Sequence, residues 1–290
     1  MYQIKNEHLN IRIKSKGAEL SSLRTKEREY LWTGDSRYWN RQSPLLFPII
    51  GSLKDDKTII EGNTYYQSKH GFIRDLEFEL RYQKENEIAF TNIYSKATLD
   101  VYPFKYRTNV IYILNGKNLK TIYQVINMDS HIMPFNIGAH PGFNCPLYLE
   151  DSFNSYSIHF EKPESFSSPK LEENGIINLK ESARDYSNLQ VLDLSHDIFD
   201  IDTIMILDVK STWAALVNKK GKGLKIKFKD FSTFSIWSPG IKKAPFVCLE
   251  PWVGYPDRVD SDYDFFKKAN LILLPPNETF EINYEIEIID

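Results

Sequence analysis

The chain has 290 residues, 42% hydrophobic and 26% charged, and its 36 basic and 39 acidic side chains leave a formal net charge of −3. That balance excludes the strongly basic face of a nucleic-acid binder, and no segment approaches the apolar length of a membrane-spanning helix. The first residues, MYQIKNEHLN, lack the apolar region of a cleaved secretion signal, and Cys145 and Cys248 form neither a CxxC nor a zinc-ribbon pair, so the expectation is a cytoplasmic protein with reduced thiols.

Along the chain the dominant hydrophobic period is two. Leu9, Ile11 and Ile13 alternate with polar residues, and Glu61-Gly62-Asn63 follows as a turn. Leu76, Phe78 and Leu80 alternate next, and Ile88 and Phe90 resume the pattern after the polar residues 84–87. Asn115-Gly116 and Lys220-Gly221-Lys222-Gly223 are further turn signals between apolar runs. Helical periodicity is weak, and only residues 181–190 and 260–269 are expected to hold short helices. At the end of the chain Phe280, Ile282, Tyr284, Ile286 and Ile288 alternate with Glu281, Asn283, Glu285 and Glu287. Each alternating run reads as a half-buried strand. Many hairpins without βαβ alternation predict an all-β fold of large packed antiparallel sheets. No linker divides the chain, so one domain over residues 1–290 is expected.

Four stretches combine reactive side chains with turn chemistry. In NRQSPLLFPIIG (residues 40–51), Arg41 precedes an apolar run bracketed by two prolines, and by itself it reads as a solvated charge. In KHGFIRD (residues 69–75), His70 precedes Gly71, which permits close approach to the backbone. In GAHPGFN (residues 138–144), Pro141 pushes His140 toward an extended conformation and Pro141-Gly142 makes a turn, so the imidazole belongs at a strand end. For both histidines the plain alternative is a structural ring bonded to nearby backbone.

In PFVCLEPWVG (residues 245–254), alternation puts Phe246, Cys248 and Glu250 on one face, and the apolar run leads into Glu250 as at a strand end. A carboxylate continuing an apolar face is partly desolvated, which makes it a candidate base. The alternative is a structural carboxylate paired with Arg258 or Arg74. A His₂Glu zinc set would use His70, His140 and Glu250. No HExxH or HxH spacing supports it, and no metal is expected. No GxSxG elbow points to a serine hydrolase. The aromatic content of 14% suits pleated strands and also suits the apolar face of a sugar ring.

Taken in order, SPLLFPIIG, KHGFIRD, GAHPGFN, DIDTIMIL, FSIWS and FVCLEPWVGYPDR resemble the aldose 1-epimerase (galactose mutarotase) family, and its LacX-like branch in particular. The resemblance implies a galactose mutarotase-like β-sandwich with a sugar site on one large sheet. It implies interconversion of the α and β anomers of a hexose without a cofactor. His140 falls where the family has its general acid and Glu250 where it has its general base. His70 matches a second histidine that contacts the sugar. Asp202 matches a sugar-binding aspartate, although the threonine after it departs from the family motif. Arg41 lies near a family arginine, with its spacing to the next proline shifted by one. Trp237, in FSIWS, and Trp252 are candidates for an aromatic wall beside the sugar.

Unperturbed pKa values of roughly 4.3 and 6.5 leave Glu250 ionised and His140 poised near neutrality, and a nearby carboxylate favours the imidazolium. The ring opening that the resemblance implies needs this carboxylate and a cationic imidazole on opposite sides of the sugar ring. The expected partner is a small sugar, with no nucleic acid and no membrane, in a monomer or homodimer. Two other readings stand beside this one. One is a hexose-6-phosphate mutarotase, which needs Arg41, Arg74 or Lys54 to converge on a phosphate. The other is a sugar-binding or sensor protein without turnover.

Overall fold

The computed structural model describes residues 1–290. Two large antiparallel sheets dominate it. One has nine strands, in the order Ile177–Asp193, Tyr156–Leu171, Trp213–Asn218, Gly223–Lys227, Thr279–Ile289, Asn118–Asn127, Tyr106–Asn115, Glu87–Ile93 and Glu79–Gln83. The other runs Thr203–Leu207, Thr233–Trp237, Phe246–Val253, Ile137–Ala139 and Leu45–Leu46, with Gly142–Asn144 also paired to Phe246–Val253. The fold is the all-β sandwich expected from the period-two pattern. No helix is long and apolar enough to cross a membrane.

The turns fall at the sequence signals. Asn115-Gly116 lies between two ten-residue strands paired along their whole length, Asn118 opposite Asn115 through Asn127 opposite Tyr106. In the last strand Ile282, Tyr284, Ile286 and Ile288 are buried while their neighbours are more exposed, as the alternation requires. Leu80 departs from its pattern and is exposed, because the ladder shifts register between Leu80 and Tyr82.

One helix expectation fails. Residues 181–190 lie inside the seventeen-residue strand Ile177–Asp193, whose partner Tyr156–Leu171 supplies the hydrogen bonds despite several register shifts. Pairing with a long neighbour outweighs the weak local helical pattern of such a polar stretch. Within 260–269 there is a single 3₁₀ turn, Phe265–Lys267, capped by the Asp264 side chain.

A cluster of 59 buried residues joins the faces of both sheets. The six-stranded sheet contributes Ile204, Ile206, Phe234, Ile236, Val247, Leu249, Ile137 and Ala139 to it. Strand side chains alternate between faces. The residues in between, Thr203, Met205, Ser235, Trp237, Cys248, Glu250 and Trp252, therefore point away from this core. That outer face carries the cleft described next.

Gly71 sits at φ +71°, and a Cβ there would lie 2.2 Å from the Phe47 carbonyl oxygen. Gly62 has a similar φ of +80° but open space around it. Both Gly→Ala variants pay the backbone penalty of a left-handed residue, roughly 1–2 kcal/mol, and only the first adds the steric clash. Urea unfolding should show Gly71→Ala less stable than Gly62→Ala by at least about 1 kcal/mol. Equal losses would mean that the Phe47 contact contributes nothing.

Candidate active site

A pairing register brings the central pair together. Gly138 lies opposite Trp252 and Gly142 opposite Cys248, so the same register carried through the intervening turn sets His140 opposite Glu250. The ladder is broken there. Pro141 has no N–H to give to Phe246–Val253, while on the other side the His140 N–H continues the ladder of Leu45–Leu46 by donating to the Pro44 carbonyl at 3.2 Å. Cross-strand neighbours share a face, and His140 Nε2 stands 3.1 Å from Glu250 Oε2. Glu250 lies in the interior of Phe246–Val253, not at a strand end as the sequence pattern implied, because the strand runs on through Pro251. The N–H of Leu249 points to the Pro141 carbonyl. By alternation, the donor that Pro251 lacks would face the same interrupted neighbour.

His70 is fixed by a different device. Its backbone N–H donates to the Gly51 carbonyl at 2.7 Å, and its Nδ1 accepts from the Gly51 N–H at 3.0 Å. A ring nitrogen that accepts carries no proton, so a neutral His70 holds its hydrogen on Nε2, free to donate into the cleft. Its φ of +68° is strained for a residue with a Cβ. Asp202 has a φ of +70° and stands at the start of Thr203–Leu207. Strain at two such positions marks a constrained site.

These residues line one cleft of about 320 Å³, together with Trp39, Arg41, Lys69, Arg74, Thr203, Met205, Trp237 and Trp252. All six residues expected from the sequence, His70, His140, Glu250, Asp202, Arg41 and Trp237, are brought together there, and Trp252 with them. A Cβ on Gly138 would lie 2.5 Å from the Trp252 ring, so a glycine opposite is what lets that indole lie flat. Neither arginine considered as a structural partner reaches Glu250. Arg258 is bound to Asp260 and Arg74 to the Lys69 carbonyl. Lys54 lies outside the lining and bonds the Ser261 carbonyl. Lys69 and Trp39 were missed, and adjacency to His70 and Arg41 was their only signal in the sequence.

Burial works against every charge at the centre. It pushes Glu250 well above the ordinary carboxylate range, with Lys69 opposing and Asp202 adding. It holds His140 well below the usual histidine value, with Lys69 and Arg74 acting in the same direction. The expected ionised carboxylate and cationic imidazole on opposite sides of a sugar ring therefore give way to two side chains in contact, each of which burial moves toward its uncharged form. His70 is also held low, by burial and then by His140 and Lys69. Asp202 is open to the solvent-filled cleft, yet the surrounding walls raise its pKa. Arg74 is pushed down to about 10 by burial and by the Arg41 charge.

Glu250 Oε2 has no hydrogen-bond donor despite its closeness to His140, and His140 Nδ1 also has no partner. The compact set of metal-type side chains is His140, Cys248 and Glu250, with one potential ligand atom each within 4.8 Å. It is not the His₂Glu set weighed from the sequence, because the group takes in Cys248 and leaves His70 out.

The aldose 1-epimerase family profile matches residues 1–287. The chain belongs to the aldose 1-epimerase family. It is 37% identical over 297 residues to the chromosomally encoded protein LacX of Lactococcus lactis subsp. lactis, covering 99% of each chain. Among solved structures it is similar to a galactose mutarotase-related enzyme from Lactobacillus acidophilus, with TM-score 0.95, 28% identity and coverage of 100% and 97%. A galactose mutarotase-like protein from Lactobacillus casei matches with TM-score 0.88, 32% identity and coverage of 99% of each chain. An aldose 1-epimerase needs an acid and a base at one carbon, and the His140–Glu250 pair is the place in this cleft where both kinds of group meet.

The His70 assignment has a direct readout. Imidazole ¹⁵N shifts, assigned by the signal lost in His70→Gln, should show the neutral Nε2–H form from pH 8 down to the acid unfolding transition. A titration midpoint near 6.5, as in a free histidine, would contradict it.

Proposed function

We propose that the cleft interconverts the α and β anomers of an aldose by acid–base opening and closing of the hemiacetal ring, and that residues 1–290 act as one domain. The observation that carries the reading is the contact between His140 and Glu250. They are opposite each other, buried, and free of competing hydrogen bonds. The two oxygens that must exchange protons, the C1 hydroxyl and the ring oxygen, share one carbon. A base and an acid side by side fit that demand.

Glu250 takes the proton from the C1 hydroxyl while the C1–O5 bond breaks, and His140 gives a proton to O5. The open aldehyde turns about C1–C2. The ring then closes on the other face of the carbonyl, O5 loses its proton to His140, and Glu250 returns one to O1. Substrate and product differ only at C1, so the same acid and base serve both directions. Each group supplies roughly 10²–10⁴ in rate. His70 donates from Nε2 to a sugar oxygen, Asp202 accepts from a hydroxyl, and Trp237 and Trp252 cover the apolar face of the ring. The steps are proton transfers between the sugar and two side chains, coupled to breaking and re-forming the C1–O5 bond, so the mechanism requires no metal and no organic cofactor.

A second reading has its own observation. Arg41, Lys69 and Arg74 line the same cleft, and the Lys69 ammonium has no ion-pair partner. Arg41 and Arg74 both lean on the single carboxylate of Asp75. That excess of cations favours a sugar bearing a phosphate.

Polarimetry of freshly dissolved α-glucose and α-galactose, and NMR exchange between the anomers of hexose 6-phosphates, tests both readings. Saturable acceleration of any of them supports a mutarotase, and the ratio of kcat/KM values names the class. Glu250→Gln should lower kcat by roughly 10²-fold or more with a much smaller change in affinity. His140→Asn should also lower kcat, and the double variant should be less impaired than the product of the singles. kcat should follow a bell-shaped pH profile, falling at low pH as the pair takes a second proton and at high pH as the shared proton leaves. Chelators should leave the rate unchanged. A folded Glu250→Gln protein with wild-type mutarotation would remove the mechanism, and sugar binding without acceleration would favour the sensor reading.

A further inference from the structure

Trp39 has no part in the mechanism above. Its indole lies over the His140 imidazole, with ring centroids 4.8 Å apart and planes 27° from parallel. The other rings that reach His140 meet it edge-on, Trp237 at 5.8 Å and His70 at 5.5 Å. Trp39 is itself held firmly. It packs edge-to-face on Trp237 at 5.7 Å and stacks against Phe246 at 5.8 Å. Its backbone carbonyl accepts the Trp32 indole N–H at 2.8 Å. Gly142, next but one to His140, leaves the room it needs, since a Cβ there would lie 3.1 Å from the Trp39 ring.

Two facts about His140 make this stack more than packing. A functional histidine usually has its plane and tautomer set by a hydrogen bond on the nitrogen turned away from the chemistry. Nδ1 of His140 is buried and has no such partner. The second fact is electrostatic. The groups that face His140 are Glu250 and the buried Cys248 thiol from its partner strand, His70 and Lys69 from the loop before Gly71, Arg74 from the turn Ile73–Asp75, and Arg41 from the segment carrying Trp39. Apart from Glu250, the fixed charges among them are positive and oppose an imidazolium, and Asp202 is the one other carboxylate lining this cleft. The face of a tryptophan attracts a cation through its quadrupole without adding a charge.

We propose that Trp39 is the positioning residue of the acid: its indole face sets the plane of the His140 ring and stabilises that ring when it carries two protons. The proposal rests on the mutarotase reading for its kinetic consequence only. Its consequence for the titration of His140 holds whatever the cleft turns over.

The experiment compares wild type, Trp39→Phe and Trp39→Leu, each checked by circular dichroism and melting. In imidazole-labelled protein without sugar, the His140 midpoint should fall by about 0.5–1 pH unit in Trp39→Leu, as expected for losing a cation–π contact. Trp39→Phe, which keeps a weaker face, should lie between. By polarimetry with α-glucose, Trp39→Leu should lower kcat about 3- to 10-fold with little change in KM, and the pH profile should shift to lower pH with the midpoint. An unmoved His140 midpoint in folded Trp39→Leu overturns the proposal. So does a wild-type His140 that stays unprotonated down to acid unfolding. A raised KM with unchanged kcat and midpoint also overturns it and makes Trp39 a sugar wall. A shifted midpoint in a protein that accelerates no sugar upholds the positioning role and sinks the mutarotase reading instead.

Discussion

The register around the strand Phe246–Val253 is the constraint on which the site depends. That strand is paired on one side to Thr233–Trp237 and on the other to two short strands separated by His140-Pro141. The short strands keep one register across the break, so Glu250 is the residue that His140 faces across the ladder. Strand alternation then decides which way both point. Val247 and Leu249 go into the 59-residue core, and Cys248, Glu250 and Trp252 face the cleft. A slip of one residue would turn the carboxylate into the core and a leucine into the site. The large core and its long ladders make such a slip costly, and the chemistry inherits that precision.

Electrostatics at the centre follows from placing two ionisable groups where water is scarce. Burial alone raises a carboxylic acid and lowers an imidazole, so both members of the pair are moved toward their uncharged forms. Lys69, Arg74 and Arg41 oppose a second positive charge beside them. His70 answers the same pressure by staying neutral, with its tautomer set by the Gly51 N–H. The result is a cleft with a fixed donor at His70, a buried His140–Glu250 contact and three cations, Arg41, Lys69 and Arg74, in its lining.

The strained positions belong to the same design. His70 and Asp202 hold left-handed backbone conformations, and Gly71 admits the Phe47 carbonyl at a distance no side chain would allow. Such conformations persist only where surrounding structure over-determines them. Here the Gly51 bonds hold His70, and the turn that donates the Asp202 N–H to the Phe199 carbonyl holds the other. The functional side chains thus sit on loops whose freedom has already been removed.

What the sequence determined by itself is local. A period of two, turn residues between apolar runs and the absence of βαβ alternation specified antiparallel sheets, since each rests on neighbours two to four residues apart. The motifs around His70, His140 and Glu250 were legible because proline, glycine and an acid on an apolar face are unusual in short stretches, whereas Asp202 was reached only through the family resemblance. The segment 181–190 was misread because its conformation is imposed by a partner strand and its own pattern is weak. Only the tertiary structure decided the rest. It joined residues 140 and 250, made Glu250 interior to its strand, brought Trp39 over His140 and Lys69 into the cleft, and moved both members of the central pair toward their uncharged forms. These depend on register, burial and contacts between distant segments, and no local pattern encodes the dielectric around a side chain or the ring that covers it.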